Sequence, residues 1–138
     1  MTVHLVKLCV GADSIDDLIA WQRHVMTRYP TPVHHTRMTP KRIADLLDGG
    51  SIYWVIKRQI RVRQRLDDIR TVTDSSGRDL CELVLDPTLV PTELQPKKPF
   101  QGWRYLTPEA APADARGGTL PDEIPADLGE ALKKAMVW

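Results

Sequence analysis

The sequence SIYWVIKRQIRVRQRLDDIRTV, residues 51–72, decides the fold, because it is the longest run of β-branched and aromatic residues in the chain. Such residues favour β-strands. The run is longer than an ordinary strand of about 3–10 residues, so we expect it to break near residues 57–59. Ile52, Trp54 and Ile56 are then predicted to face the core in the first strand.

The second part of this run carries a row of arginines. Successive side chains of a strand point to opposite faces, so Arg61, Arg63 and Arg65 are predicted to share one face. The apolar residues predicted on the other face are Ile60, Val62 and Leu66. A guanidinium group offers a planar fork of donors that suits phosphate. The row therefore indicates a binding surface for a nucleic-acid backbone, and the alternative is a charged sheet face that blocks unwanted strand pairing.

Further basic and aromatic residues extend this predicted surface. Lys57, Arg58 and Arg104 are expected at its margins, and Tyr53 and Tyr105 are expected to be exposed and to stack on bases. Nucleic-acid-binding proteins commonly place aromatic side chains beside basic grooves. Trp54 and Trp103 are instead expected in the core.

Two adjacent histidines, His34 and His35, are predicted to lie in a loop over residues 30–38. They are the candidate acid and base if the chain is an enzyme. Their spacing does not match a zinc motif, and no metal or cofactor is expected. Cys9 and Cys81 are expected to be buried free thiols.

The charge of the chain is unevenly distributed. Between Arg23 and Arg70, eleven Lys/Arg stand against four Asp/Glu, whereas the rest of the chain has eight against fourteen. A basic middle can attract a polyanion although the net charge is only +1. No apolar run is long enough to span a membrane and the start lacks a signal-peptide layout, so we expect a cytoplasmic protein with no membrane partner.

The predicted elements follow the order β-α-α-β-β-β-β-α. One helix should begin after Ser14 and end near Tyr29, and a second should have Thr39 as N-cap and stop at Gly49. Short connections between the later strands favour an antiparallel arrangement. We therefore expect one α+β domain over residues 1–138, built as a small, mostly antiparallel β-barrel with two helices in its N-terminal half. Residues 107–125 are expected to form a surface loop, and 126–138 a C-terminal helix.

Three segments carry a resemblance to known families: GGSIYWVIKRQIRVRQRL, FQGWRYL and VHLVKLCVGADSIDDLIAWQ. Together they resemble a family of short bacterial proteins classed as a domain of unknown function. That resemblance gives no established activity to carry over to this chain. The Ile-Lys-x-x-Ile-x-Val-Arg stretch is also similar to the PUA-like superfamily and its ASCH branch. That resemblance implies a pseudobarrel associated with RNA binding or RNA modification, with Lys57 and Arg63 as the nearest matches to the branch's signature.

The favoured function is binding of RNA or another nucleic acid through the arginine-rich face. One alternative is a small hydrolase or nuclease that acts on a nucleoside or RNA and uses His34 or His35. In that case the two histidines, the arginine row and a pocket should lie together. Another alternative is a protein-interaction module that docks a partner on the acidic, proline-rich C-terminal third.

Overall fold

A computed structural model describes residues 1–115 of the chain. These residues form two helices and seven strands. In chain order the elements are β1 (His4–Leu8), α1 (Ile15–Val25), β2 (Val33–Thr36), α2 (Ile43–Leu47), β3 (Ser51–Ile56), β4 (Gln59–Thr73), β5 (Asp79–Leu85), β6 (Val90–Pro96) and β7 (Trp103–Leu106). The C-terminal helix predicted at 126–138 lies outside the described residues.

The strands form one open, mixed sheet in the order β2-β5-β4-β3-β1-β7, with β6 also paired to β4. The predicted α+β class is wrong, because residues 1–115 are mainly β, with seven strands and only two helices. The predicted closed barrel is also wrong, because β2 and β7 lie at opposite edges of this sheet and do not pair with each other within residues 1–115. The prediction of a mostly antiparallel arrangement is confirmed for five of the six strand pairs in residues 1–115. The sheet is nevertheless mixed, because β1 runs parallel to β3. The chain between β1 and β3 contains both helices, and such a long crossover permits parallel pairing.

The predicted break in the central run is confirmed. The hairpin between β3 and β4 turns at Lys57 and Arg58, and β4 then continues without interruption to Thr73. The first half of β4 pairs with β3 and β6, and its second half pairs with β5. β4 and β5 form the next hairpin, and in its turn the Asp74 carboxylate accepts hydrogen bonds from the backbone N–H groups of Ser76 and Arg78.

A β-bulge interrupts the alternation on which the arginine row was predicted. Val62 pairs with Trp54 and Ile60 pairs with Val55, so Arg61 is the extra residue between them. Because Trp54 and Val55 are consecutive in β3, their side chains point to opposite faces. Ile60 and Val62 therefore lie on opposite faces of the sheet, and the prediction that they share one is wrong.

Each face of the sheet carries an apolar cluster. The main cluster includes Leu18 of α1 and Leu46 of α2 together with Trp54 and Val62. The second cluster contains Val6, Tyr53, Val55, Ile60 and Leu106, with Phe100 packed against it. Because both faces of β3 are covered, all six of its residues are buried.

The predicted start of the first helix is confirmed, and the predicted start of the second is wrong. Ser14 is the N-cap of α1, and its hydroxyl accepts a hydrogen bond from the backbone N–H of Asp17. The second helix begins at Ile43, so Thr39 is not its N-cap. The Tyr105 hydroxyl instead accepts hydrogen bonds from the backbone N–H groups of Lys41 and Arg42 just before this helix.

The loop predicted at 30–38 is also wrong, because Val33–Thr36 pairs with β5 as an edge strand. Flanking prolines and the two histidines hid this short strand from a pattern-based prediction. Neither helix of residues 1–115 has the length and apolar composition needed to cross a lipid bilayer.

Candidate nucleic-acid interface

Two exposed cations occupy the tight turn between β3 and β4. Lys57 and Arg58 both have positive φ angles, 55° and 64°. Two-residue hairpins often require this geometry at both positions, where Asn and Gly are the favoured residues. Lys57 has one ion pair, 3.4 Å from Asp13, and both side chains are more than half exposed. Such a pair is worth little, so the turn presents two cations to solvent.

The end of β6 and the segment before β7 bring further cations to this turn. The backbone N–H of Lys97 donates to the Arg58 carbonyl at 2.8 Å. Lys97 Nζ lies 5.8 Å from the centre of the Phe100 ring, and Arg104 Cζ lies 5.4 Å from it. Lys98 is adjacent and exposed. We call these residues the turn-end patch: Lys57, Arg58, Lys97, Lys98 and Arg104, together with Phe100, whose ring lies under Lys97 and Arg104.

Strand directions explain why the patch gathers at one end of the sheet. Because β1 and β3 are parallel, Leu8 lies beside Val55, close to the turn. Antiparallel β7 begins with Trp103 beside Lys7, so it starts at this same end. The cations thus come from two distant parts of the chain, residues 57–58 and 97–104, and meet because β6 pairs with β4 and β7 pairs with β1.

The three arginines predicted as a row have separate surroundings. Arg61, at the bulge, donates from Nε to the Ile56 carbonyl at 2.8 Å, beside the turn. Arg63 forms a two-point ion pair with Asp114, with Nε and Nη2 at 2.7 and 2.8 Å from the two carboxylate oxygens. Arg65 is exposed and lies opposite Ser51. One of the three forks is therefore already held by a carboxylate of the chain itself.

The two candidate stacking tyrosines lie apart. Tyr53 is only 5% exposed and belongs to the second cluster, so the prediction that it is exposed is wrong. Tyr105 is 38% exposed, but it pairs with Leu5 of the main cluster and so lies on the opposite face from Tyr53, which pairs with Val6. Trp54 is in the core as predicted, and Trp103 is half-buried, with Nε1 donating to the Met38 carbonyl.

A polar cavity of about 380 Å³ lies beside Arg63. Its sheet side is formed by His4, Ser51, Tyr53 and Arg63, and its other wall by residues between Pro108 and Asp114. Burial, reinforced by the nearby Arg63 charge, lowers the pKa of His4. The hydrogen bonds from Arg63 hold the pKa of the Asp114 carboxyl below its usual range.

The adjacent histidines do not line this cavity. His35 Nε2 lies 3.1 Å from Oε1 of Glu82, whose other oxygen pairs with Arg70 at 3.0 Å. The ring of His34 lies between Trp21 and Trp54, with ring centres 5.5 and 5.2 Å away. Neither nitrogen of His34 has a hydrogen-bond partner among the described residues. Burial and the nearby Lys7 and His35 lower its pKa to about 4.

Sequence reasoning missed three members of the turn-end patch as site residues: Lys97, Lys98 and Phe100. The signal was the Lys-Lys-Pro-Phe sequence just before β7, the strand that contains Arg104. It also missed His4 and Asp114 beside Arg63. Cys9 and Cys81 are free thiols as predicted, but only Cys81 is buried and Cys9 is partly exposed. No cluster of three potential metal ligands occurs within residues 1–115.

These features define a small β-rich protein whose open mixed sheet has a basic patch at one end and a polar cavity on one face. The chain belongs to the family described as protein of unknown function (DUF1489), whose family model matches residues 5–138. The predicted membership of a family of unknown function is thus confirmed, whereas the PUA-like resemblance lost its structural basis with the barrel. No curated protein and no solved structure matches the chain.

Proposed function

We propose that the protein binds single-stranded nucleic acid, RNA in the first place, through the turn-end patch. The observation that carries this proposal is the gathering of five cations at the Lys57–Arg58 end of the sheet, two of which, Lys97 and Arg104, lie over the ring of Phe100. Basic side chains neutralise phosphates, and an aromatic ring beside them offers a stacking surface for a base.

The geometry of Phe100 favours a single strand over a duplex. Lys97 Nζ and Arg104 Cζ lie over its ring and are at most about 11 Å apart. When either flexible side chain turns to a neighbouring phosphate, the ring surface that it covered can stack an unpaired base. Bases in a duplex are already stacked on each other and do not offer a free face.

Arg61 and Arg65 extend the proposed surface along β4, while Arg63 contributes little as long as Asp114 holds its fork. Tyr53 and Tyr105 are not included as stacking residues, because one is buried and the other lies on the opposite face. The proposed interface therefore keeps Lys57, Arg58 and Arg104 from the sequence prediction and adds the Lys97–Phe100 segment.

The test is fluorescence anisotropy with a labelled RNA of mixed sequence at about 50 and about 200 mM salt. Wild-type protein is compared with a Lys57→Gln/Arg58→Gln double variant. Each phosphate contact contributes about 0.7 to the salt slope for a single strand, so losing two contacts should reduce the slope by about 1.4. Binding should also weaken at both salt concentrations.

A charge-matched control is Arg23→Gln/Arg78→Gln, because both arginines are exposed and lie outside the patch. This control should bind RNA like the wild type. Equal loss in both double variants would mean that only total charge matters, and an unchanged salt slope in the patch variant would refute the proposed interface. Phe100→Leu should weaken RNA binding about fivefold or more at either salt concentration, since stacking on an aromatic ring is worth about 1–3 kcal/mol per base.

A further inference from the structure

The cavity beside Arg63 is a second potential binding site, distinct from the turn-end patch and independent of the proposal for it. Its volume of about 380 Å³ lies within the usual range of about 300–1,000 Å³ for small-molecule sites. The strand pairing that builds it is regular: Tyr53 lies opposite Arg63 and Ser51 opposite Arg65. The polar side chains are thus fixed by the sheet, not by a flexible loop.

The sheet side of the cavity is made largely of hydrogen-bond donors. Arg63 presents its guanidinium fork, and its Nη1 also donates to the Ser51 hydroxyl at 3.2 Å. The backbone N–H of Ser51 donates to Nδ1 of His4 at 3.0 Å, so the neutral His4 ring carries its proton on Nε2. Tyr53 contributes a phenol that burial keeps protonated by raising its pKa. A wall with several donors and one permanent cation favours an anionic ligand.

Asp114 already occupies the fork as an anion would. Its carboxylate meets Arg63 with two short, parallel hydrogen bonds, the arrangement in which Arg binds carboxylate or phosphate. Asp114 reaches this position from a segment that contacts β6. The N–H of Glu93 donates to the Ala113 carbonyl and the N–H of Ala115 to the Pro91 carbonyl, both at 2.8 Å.

The hold of Asp114 on Arg63 is of a kind that a ligand can replace. The Asp114 side chain is 48% exposed and that of Arg63 is 26% exposed. The two-point geometry makes this pair stronger than most surface ion pairs, but its open side gives a competing anion and water access to both charges. A ligand that supplies the same two acceptor oxygens, and also contacts His4 and Tyr53, would compensate for the lost pair.

We propose that this cavity binds a small molecule bearing an oxyanion, carboxylate or phosphate, and that Asp114 is an intramolecular competitor for Arg63. The ligand's charged group takes the place of the Asp114 carboxylate on the guanidinium fork. His4 Nε2 and the Tyr53 hydroxyl donate to its remaining polar atoms. Asp114 then turns toward solvent, where its charge is readily hydrated.

The test compares wild type, Asp114→Asn and Arg63→Gln in the full chain. Inorganic phosphate and acetate are titrated separately, and ¹H–¹⁵N spectra of the His4 ring and the Arg63 side chain report binding. Asp114→Asn removes the competing charge with little change of shape, so it should bind at least one of the two anions about tenfold more tightly than wild type. Arg63→Gln should lose that binding.

The two probes distinguish the chemistry of the ligand: tighter binding of phosphate indicates a phosphoryl group and tighter binding of acetate a carboxylate. Tyr53→Phe in the Asp114→Asn background serves as a second variant, because it removes only a hydroxyl and should weaken the binding several-fold. If Asp114→Asn binds neither anion more tightly than wild type, or if its binding is unaffected by Arg63→Gln and Tyr53→Phe alike, the proposal is overturned.

Discussion

Lowering the pH from about 7 to about 5 should destabilise the folded protein through His34. The ring of His34 is enclosed by Trp21 and Trp54, and its two nitrogens have no hydrogen-bond partner among residues 1–115. Adding a proton would place an unpaired charge in this apolar setting. In the unfolded chain this histidine is surrounded by water, so its protonation carries no such energetic cost.

The magnitude follows from the two pKa values. The pKa of His34 is about 4 in the folded protein against 6.5 for an unperturbed histidine. Between these values the unfolded chain binds more protons, so stability rises with pH. The contribution is complete above a pH of about 6.5 and is lost as the pH falls toward 4, by about 2 kcal/mol at a pH of about 5 and about 3 kcal/mol at a pH of about 4.

The assay is urea unfolding followed by tryptophan fluorescence at several pH values, for wild type and His34→Phe. A phenylalanine fits between the two tryptophans and cannot be protonated. His4, whose pKa is also lowered by burial, is present in both proteins and cancels in the comparison. Wild type should therefore lose about 2 kcal/mol more stability than His34→Phe between pH values of about 7 and 5. Parallel pH profiles of the two proteins would refute the reasoning.

Three further predictions concern packing and hydrogen bonding. Gln64→Leu should lower the unfolding free energy by about 2–4 kcal/mol in urea, because it removes the partner of the Gln22 amide and of Trp54 Nε1 in a buried network, whereas exposed Arg65→Gln should change it by less than about 0.5 kcal/mol. Gly50→Ala should prevent stable folding, judged by circular dichroism, since its Cβ would collide with the backbone carbonyls of Leu46 and Val3; normal folding of this variant would contradict the described packing. Tyr105→Phe should lower the thermal midpoint, at a cost of about 1–2 kcal/mol, because the Lys41 and Arg42 N–H groups lose their acceptor, and an unchanged midpoint would mean that water replaces the hydroxyl without loss.

Features that depend on residues close together in the chain were predicted correctly from the sequence. Ser14 caps α1 because a hydroxyl at that position accepts from the N–H of Asp17, a contact between residues three apart. The break at Lys57-Arg58 followed from strand length, and the burial of Trp54 followed from alternation in β3. Each of these depends on residues close together in the chain.

The pairing of distant segments could not be predicted from the sequence. The parallel partnership of β1 with β3 depends on how two helices cross the sheet, and it determines which strand ends meet. The bulge at Arg61 moves one residue out of register and so changes the face of Ile60. The Asp114–Arg63 pair joins residues from separate segments, and composition alone assigned Asp114 to a featureless loop.

In the candidate site, too, local features were predicted and long-range contacts were not. The basic character of the Lys57–Arg65 stretch was evident, but the aromatic residue at its end of the sheet was not, because the segment of Phe100 comes there through the pairing of β6 with β4 and of β7 with β1. His34 was identified only as a candidate acid or base. The sequence could not show that neither of its ring nitrogens has a hydrogen-bond partner among residues 1–115.

The positive φ angles of Lys57 and Arg58 have a consequence for engineering. Side chains with a Cβ are disfavoured in that region by roughly 1 kcal/mol or more each, and Asn-Gly would fit the turn with less strain. A Lys57→Asn/Arg58→Gly protein should thus resist heat better than the natural chain while carrying two fewer charges at its tip. In this hairpin, the same two substitutions would raise thermal stability and weaken the attraction for a polyanion.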